Sequence, residues 1–457
     1  MSAVHGRAVP FAPARGELLA TCTFYLIFLL IWITTTPFAD LAITGASSTA
    51  DSSNAVNQVA FVAMALLTVG VAVSLRKDLL YALPRPIHAV LGVWLLITIA
   101  LSQAPMLSAK RAMFTLLVLL IAAAAITLPR TSRQLAKNFA ALTLLVVTLC
   151  YAGVLLVPDL AIHQSRNVLE PENVGYWRGV FAHKNTASAM MVVFLFIGLF
   201  VARAYSVALG WTIVALTLPF LYASGGKTAL ALVVPVLGAS WLCSVIRAPA
   251  LRSALVVSAV VLLNVITVGS AVVPAIGSFT RSISPDATFT GRTEIWQFAA
   301  GEITRHPVFG AGFAAFWRTD ATVNSDAGTE EYEGWSSAFA RRATDSHNTY
   351  VDLSLTIGLV GLAIVLMWVV ILPLRDIART SAEAVNSPLG LMLFRIWFYG
   401  LLTFCLESGL LASADMLGFM VVFAVFGIEL MARFNPARTR VAARRQNRRG
   451  GGRAWSR

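Results

Sequence analysis

Charge is scarce in this chain. Asp, Glu, Lys and Arg make up 12% of its 457 residues, against 58% apolar. That balance excludes an ordinary soluble domain, in which charged residues run near a quarter of the composition, about 25%. Cysteine is scarce as well. Cys22, Cys150, Cys243 and Cys405 all lie inside apolar runs, so no structural disulfide is expected between the loops. Alternation of apolar and polar residues is missing, which excludes a membrane β-barrel. The His residues show no metal-ligand spacing, and no metal or cofactor is implied. No carboxylate pair is placed for glycoside hydrolysis.

What the chain has instead is long apolar runs, about 17–25 residues each, the length a helix needs to cross a hydrocarbon core of about 30 Å. Twelve spans are read near 18–36, 58–75, 87–102, 112–128, 138–157, 186–203, 206–223, 228–246, 253–275, 349–373, 389–410 and 413–432. The first is read as a retained helix, because no clear cleavage site follows it. The net charge of +13 is not a nucleic-acid signal. Arg76, Lys77, Arg85, Arg130, Arg133, Lys137, Arg203, Arg247, Arg252, Arg375 and Arg379 fall in alternate loops, which is the positive-inside pattern. Both termini are then cytoplasmic. Lys110 and Arg111 break the pattern on the outer side.

The expected fold is all-α and integral to the membrane. Residues 1–275 form spans 1–9, and 276–348 a large outer loop with short helices. Residues 349–432 form spans 10–12, and 433–457 a basic tail, expected to be disordered and to touch anionic lipid on the inner leaflet. Few ionisable groups lie deep in the spans, which argues against a proton-coupled carrier and for a site at the outer surface. Glu407 and Asp415 fall near the outer turn between the last two spans.

The large loop carries GRTEIWQF (Gly291 to Phe298) near its start and DSHNTY (Asp345 to Tyr350) where the chain re-enters the bilayer. The first motif opens a helix. Ile295, Trp296, Ala299 and Ile303 make one apolar stripe, with Thr290 as N-cap and Trp296 at the membrane interface. Arg292, at that helix start, can bind phosphate with two N–H groups at once. Its plainer reading is a surface Arg paired with a loop acid. His347 can take a proton from a hydroxyl near neutral pH, its tautomer held by Asp345 or Asn348. Its plainer reading is a polar residue at a helix start.

Three more cations draw notice. Lys227 sits in the short outer loop ASGGKT, where glycine N–H groups could form a phosphate nest; a snorkelling Lys is the alternative. The segment fails the nucleotide-binding P-loop pattern, since Leu221 stands where its first Gly belongs. Arg178, His183 and Lys184 cluster in WRGVFAHKN before span 6, as sugar or phosphate contacts or as an interface belt. GAGFAA (Gly310 to Ala315) mimics a dinucleotide fingerprint without a βαβ unit and is dismissed.

In GRTEIW, in HPVFGAGF (His306 to Phe313), in DSHNTYVDLSLTIGLVG (Asp345 to Gly361) and in RGVFAHKN (Arg178 to Asn185), the chain resembles the O-antigen ligase and Wzy-type polymerase superfamily, including exopolysaccharide polymerases of the ExoQ kind. The resemblance implies a fold similar to GT-C membrane glycosyltransferases and a metal-independent, inverting transfer in the bacterial inner membrane. The donor would be an undecaprenyl-pyrophosphate-linked glycan at the periplasmic face, and the acceptor another glycan or lipid A-core. It implies His347 as base, with Arg292 and Lys227 on the pyrophosphate. Ligases typically have Arg where Lys227 stands. Trp296, Asn348, Arg178, His183 and Lys184 are further candidates for substrate contact. The reading from another class is a carrier or flippase for lipid-linked oligosaccharides.

Overall fold

The computed structural model describes residues 14–40, 55–165, 171–246, 248–283, 292–317, 343–412 and 415–434. Among these the chain is helical, with one isolated bridge between Ile162 and Trp177. The helices are α1 (Ala14–Ile33), α2 (Ala55–Leu80), α3 (Pro86–Ala100), α4 (Pro105–Ala125), α5 (Ser132–Leu156), α6 (Lys184–Ala204) and α7 (Val207–Ala223). They continue as α8 (Lys227–Val245), α9 (Pro249–Val272), α10 (Pro274–Ile283), α11 (Arg292–Arg305), α12 (Thr349–Arg379), α13 (Pro388–Thr403) and α14 (Met416–Arg433). The basic tail from 435, the proposed Thr290 cap and most of the acidic stretch of the loop lie outside the described residues.

Nine of these helices are long and apolar enough to span a bilayer, so this is a multi-pass membrane protein. α3, α7 and α13 coincide with expected spans but are shorter, 10–17 residues. At 1.5 Å per residue a 17-residue helix rises only about 26 Å. Helix starts are set locally by Pro at the first position in α3, α4, α9 and α13, and by side-chain caps from Thr131, Ser206, Ser387 and Asp415. The four cysteines are free thiols, with Cys22 exposed and the other three buried.

α14 lies at the centre of the bundle. Its Phe419 and Phe423 meet Phe28 of α1 edge-on, at 5.7 Å between ring centroids. Phe28 in turn packs on Phe139 of α5 at 5.1 Å. The loop helix α11 has a smaller core of its own: Ile295, Trp296, Phe298 and Ala299 against Ala271, Ala311, Phe316, Trp317, Val351 and Leu355. Trp296 is fully buried there, and its indole N–H donates to the Ser346 carbonyl at 2.8 Å. The expected stripe exists, but it faces protein. This corrects the interface placement of Trp296.

One expected span is interrupted. Gly358 has φ +70° and ψ 175° inside α12, about 13 Å of helical rise from its start. A break at that depth frees backbone groups that lipid cannot satisfy. Here each is met. Trp94 Nε1 donates to the Ile357 carbonyl at 2.9 Å. Ala311 N–H donates to Leu355 O, Gly312 N–H to Thr356 O, and Leu359 N–H to Pro307 O, at 2.8, 3.0 and 2.8 Å. The HPVFGAGF turn is therefore strapped into the break. A Cβ on Gly358 would lie 1.9 Å from the Val308 carbonyl oxygen, which accounts for glycine there. Ser108 of α4 donates to the Phe313 carbonyl at 2.8 Å, and Arg111 to that of Ala314. Arg111 thus anchors the loop.

Candidate active site

α13 ends at Thr403, seven residues before the expected end of its span, and a turn follows through Leu411. A helix C-terminus leaves carbonyls without partners. In this turn the carbonyls of Phe404, Cys405, Leu406 and Glu407 receive the Thr349 N–H, Asn348 Nδ2, an Arg292 guanidinium N–H and the Thr349 hydroxyl, at 2.9, 2.8, 2.5 and 3.1 Å. The two sequence motifs at opposite ends of the large loop therefore converge on one turn.

Glu407 is what they share. Its Oε1 accepts from Arg292 at 3.0 Å and from Asn185 Nδ2 at 3.2 Å. Its Oε2 lies 3.4 Å from His347 Nδ1. Asp345 lies near the same nitrogen, 3.6 Å from Nδ1, and also accepts the His347 backbone N–H at 2.9 Å. About a quarter of the His347 and Glu407 side chains is exposed, 28% and 27%, so the site opens to a substrate. His347 has a left-handed backbone, φ +51°. That costs a non-glycine residue about 1–2 kcal/mol, and such strain clusters at functional sites.

Electrostatics follow from this geometry. Burial disfavours the imidazolium, but the Asp345 and Glu407 carboxylates outweigh it and raise the His347 pKa above 6.5. Burial would likewise push Glu407 up, but His347 and Arg292 overcome it and hold the carboxyl at about 2. Glu407 is thus an anion throughout the physiological range, held between the Arg292 guanidinium and the His347 imidazole. Among the described residues no group of three or more His, Cys, Asp or Glu could hold a metal ion.

A family model described as O-antigen ligase matches residues 212–366. The chain is also 26% identical over 148 residues to the exopolysaccharide production protein ExoQ of Rhizobium meliloti (strain 1021). That likeness covers 32% of this chain and 33% of the relative, so the chain spans about a third of the length of the curated protein it matches. Over these segments the chain is similar to O-antigen ligases and to that exopolysaccharide production protein. The matched segment holds Lys227, Arg292 and His347 and stops short of Glu407.

The remaining candidate residues divide in two. Asn348 is fully buried, its Oδ1 capping α12 at the N–H groups of Tyr350 and Val351, its Nδ2 on Asn264 and Cys405. Arg178 is 2% exposed, with its guanidinium on the carbonyls of Phe181, Ala182 and Ala39. Trp296 is buried as described. These three were expected to touch substrate; the structure places them in the protein interior. His183 caps α6, accepting the Asn185 N–H at 3.1 Å, and so orients the residue that holds Glu407. Lys184 lies over the Tyr176 ring at 4.7 Å. Lys227 is exposed at the start of α8, and among the described residues no hydrogen bond or ion pair joins it to Arg292, Glu407 or His347. Its loop is nonetheless near α6, since a Cβ on Gly226 would meet Ser188 at 2.2 Å.

Sequence reasoning missed three residues. Glu407 stood out only as an ionisable group near a turn. Asn185 closed the HKN segment without a role. Asp352 is a third: its carboxylate accepts the Ser346 N–H at 3.0 Å and the Trp317 indole at 2.9 Å, and it bonds the Ser408 hydroxyl. It ties the loop to the turn that bears Glu407. Its signal was an acid four residues into an apolar run, where charge is costly without partners.

Proposed function

We propose that this protein transfers a lipid-linked glycan to an acceptor hydroxyl, with Arg292, His347 and Glu407 as its chemical centre. The observation carrying the proposal is that the two loop motifs meet on Glu407, leaving His347 part-exposed beside a guanidinium. His347 takes the acceptor hydroxyl proton. The acceptor oxygen bonds to the anomeric carbon, the bond from that carbon to the pyrophosphate oxygen breaks, and configuration inverts. The leaving lipid pyrophosphate, taken to be undecaprenyl pyrophosphate, keeps the electron pair. Arg292 has N–H groups beyond the two that bond Leu406 and Glu407, and these meet the phosphoryl charge. Such a preorganised donor is worth about 3–4 kcal/mol of barrier. Lys227 joins from the neighbouring loop on donor binding.

The architecture proposed with this chemistry has twelve crossings in a GT-C-like arrangement. Both termini are cytoplasmic and the site faces the periplasm of an inner membrane. Both ligation to lipid A-core and polymerisation fit the site. The test is transfer by purified protein given undecaprenyl-pyrophosphate-linked repeat units, with and without lipid A-core. Longer lipid-linked glycans without lipid A-core would make it a polymerase; product only with lipid A-core, a ligase. No transfer by folded protein with native substrate would overturn the proposal in favour of a carrier.

The pH dependence checks the base. Only neutral His347 can accept a proton, and its pKa is raised, so transfer should increase with pH along a limb lying above 6.5. Glu407→Gln removes one of the carboxylates that raise it, so the limb should move to lower pH while the maximal rate falls. A limb that stays in place in that variant would detach Glu407 from the base.

A further inference from the structure

At the far end of α12 from His347 lies a second charged site that the transfer chemistry does not use. Arg85, Arg375, Asp376, Arg379 and Arg433 line a cavity of about 480 Å³ between the start of α3 and the ends of α12 and α14. That is within the range of small-ligand pockets, roughly 300–1,000 Å³. Two carboxylates build it. Asp376 holds Arg85 at 2.5 Å, and Glu429 holds Arg85 at 2.7 Å and Arg433 at 2.6 Å. Both are nearly wholly buried, with 6% and 2% of their side chains exposed. Among the residues that line the pocket, four are arginines and one is an acid, Asp376, so the lining is formally positive. Arg375 is 45% exposed and only 3.9 Å from Asp376, a loose contact.

The rest of the wall is apolar: Pro86, Ile87, Met367, Leu372 and Ala432. Met367 is 44% exposed and opens a π-helical turn, Met367–Ile371. Such turns break helical regularity and recur at functional sites. Fixed guanidinium groups beside an outward-facing apolar strip suit one chemical class, a phosphate carrying hydrocarbon chains. The loops at this end carry Arg76, Lys77, Arg130, Arg133, Lys137 and Arg203, the basic bias that accompanies anionic leaflets.

We propose that this pocket binds the phosphate of an anionic phospholipid, its head on Arg85, Arg375 and Arg379 and its chains along Ile87, Met367 and Leu372. It is a lipid site separate from the transfer centre. The test uses full-length protein in neutral detergent and reads saturable thermal stabilisation by short-chain phosphatidylglycerol, phosphatidylcholine and inorganic phosphate. Arg375→Gln/Arg379→Gln spares the buried pairs of Arg85. It should weaken phosphatidylglycerol binding about 25-fold, at roughly fivefold per charge. Arg133→Gln/Lys137→Gln removes equal charge from the same end outside the pocket and should leave the half-saturation point within about twofold, as expected of distant, independent sites. Phosphatidylcholine should give no saturable shift. Equal losses in the two double variants would overturn the pocket. A matching shift from inorganic phosphate would assign it to a free anion and overturn the lipid.

Discussion

His347→Asn is expected to cut glycan transfer by about 10²–10⁴-fold, the usual share of a positioned base, while the protein inserts and purifies like the wild type. Asparagine is the informative replacement because the position is left-handed, φ +51°, a conformation Asn tolerates better than other residues. Alanine would add backbone strain to the loss of the base and blur the result. The backbone N–H held by Asp345 survives in the Asn variant, and so does the Asn348 cap that follows. The check is single-turnover transfer beside thermal stability. Transfer within about tenfold of wild type would remove His347 from the chemistry.

Arg292→Lys is expected to cost about 10²–10³-fold in transfer, near the effect of removing one preorganised donor, and little in folding. The reason is geometric. One guanidinium reaches the Leu406 carbonyl and Glu407 together and still has N–H groups to spare. An ammonium is a point charge that can replace one of those contacts but cannot hold the fork. If Arg292 merely latched the loop helix to the turn, the variant would melt earlier and transfer would fall only with the folded fraction. Measuring melting temperature and transfer on the same samples separates the two.

Much of this was legible in the sequence, unevenly and for physical reasons. Apolar run length gave the helices, because hydrocarbon thickness sets it. The start of α11 and its stripe were readable from spacing. Its partner was not, since an apolar stripe on an outer helix looks the same whether it meets lipid or protein; Trp296 went astray on that point. Asn348 was read as a substrate contact, and its role as the cap of α12 was passed over, although an Asn before an apolar run is a capping signal. The nearness of His347 drew it towards chemistry. Glu407 lies 60 positions beyond His347, and no local pattern links them. Their meeting depends on where α13 stops, and that depends on donors supplied from distant motifs. The break at Gly358 was hidden for a similar reason. A glycine in a continuous apolar run reads as ordinary membrane helix, and only its backbone angles reveal the interruption.

The strapped break also bears on how the chain is made. Residues 307–312, which satisfy the backbone at Leu355 to Leu359, leave the ribosome before the helix that needs them. That span therefore meets its partner already synthesised. Each unpaired backbone group in hydrocarbon costs several kcal/mol, so Thr349–Arg379 has no low-energy resting place on its own. Order of translation and order of assembly coincide: the turn comes first and acts as a template, and the last three helices, α12 to α14, are completed around it.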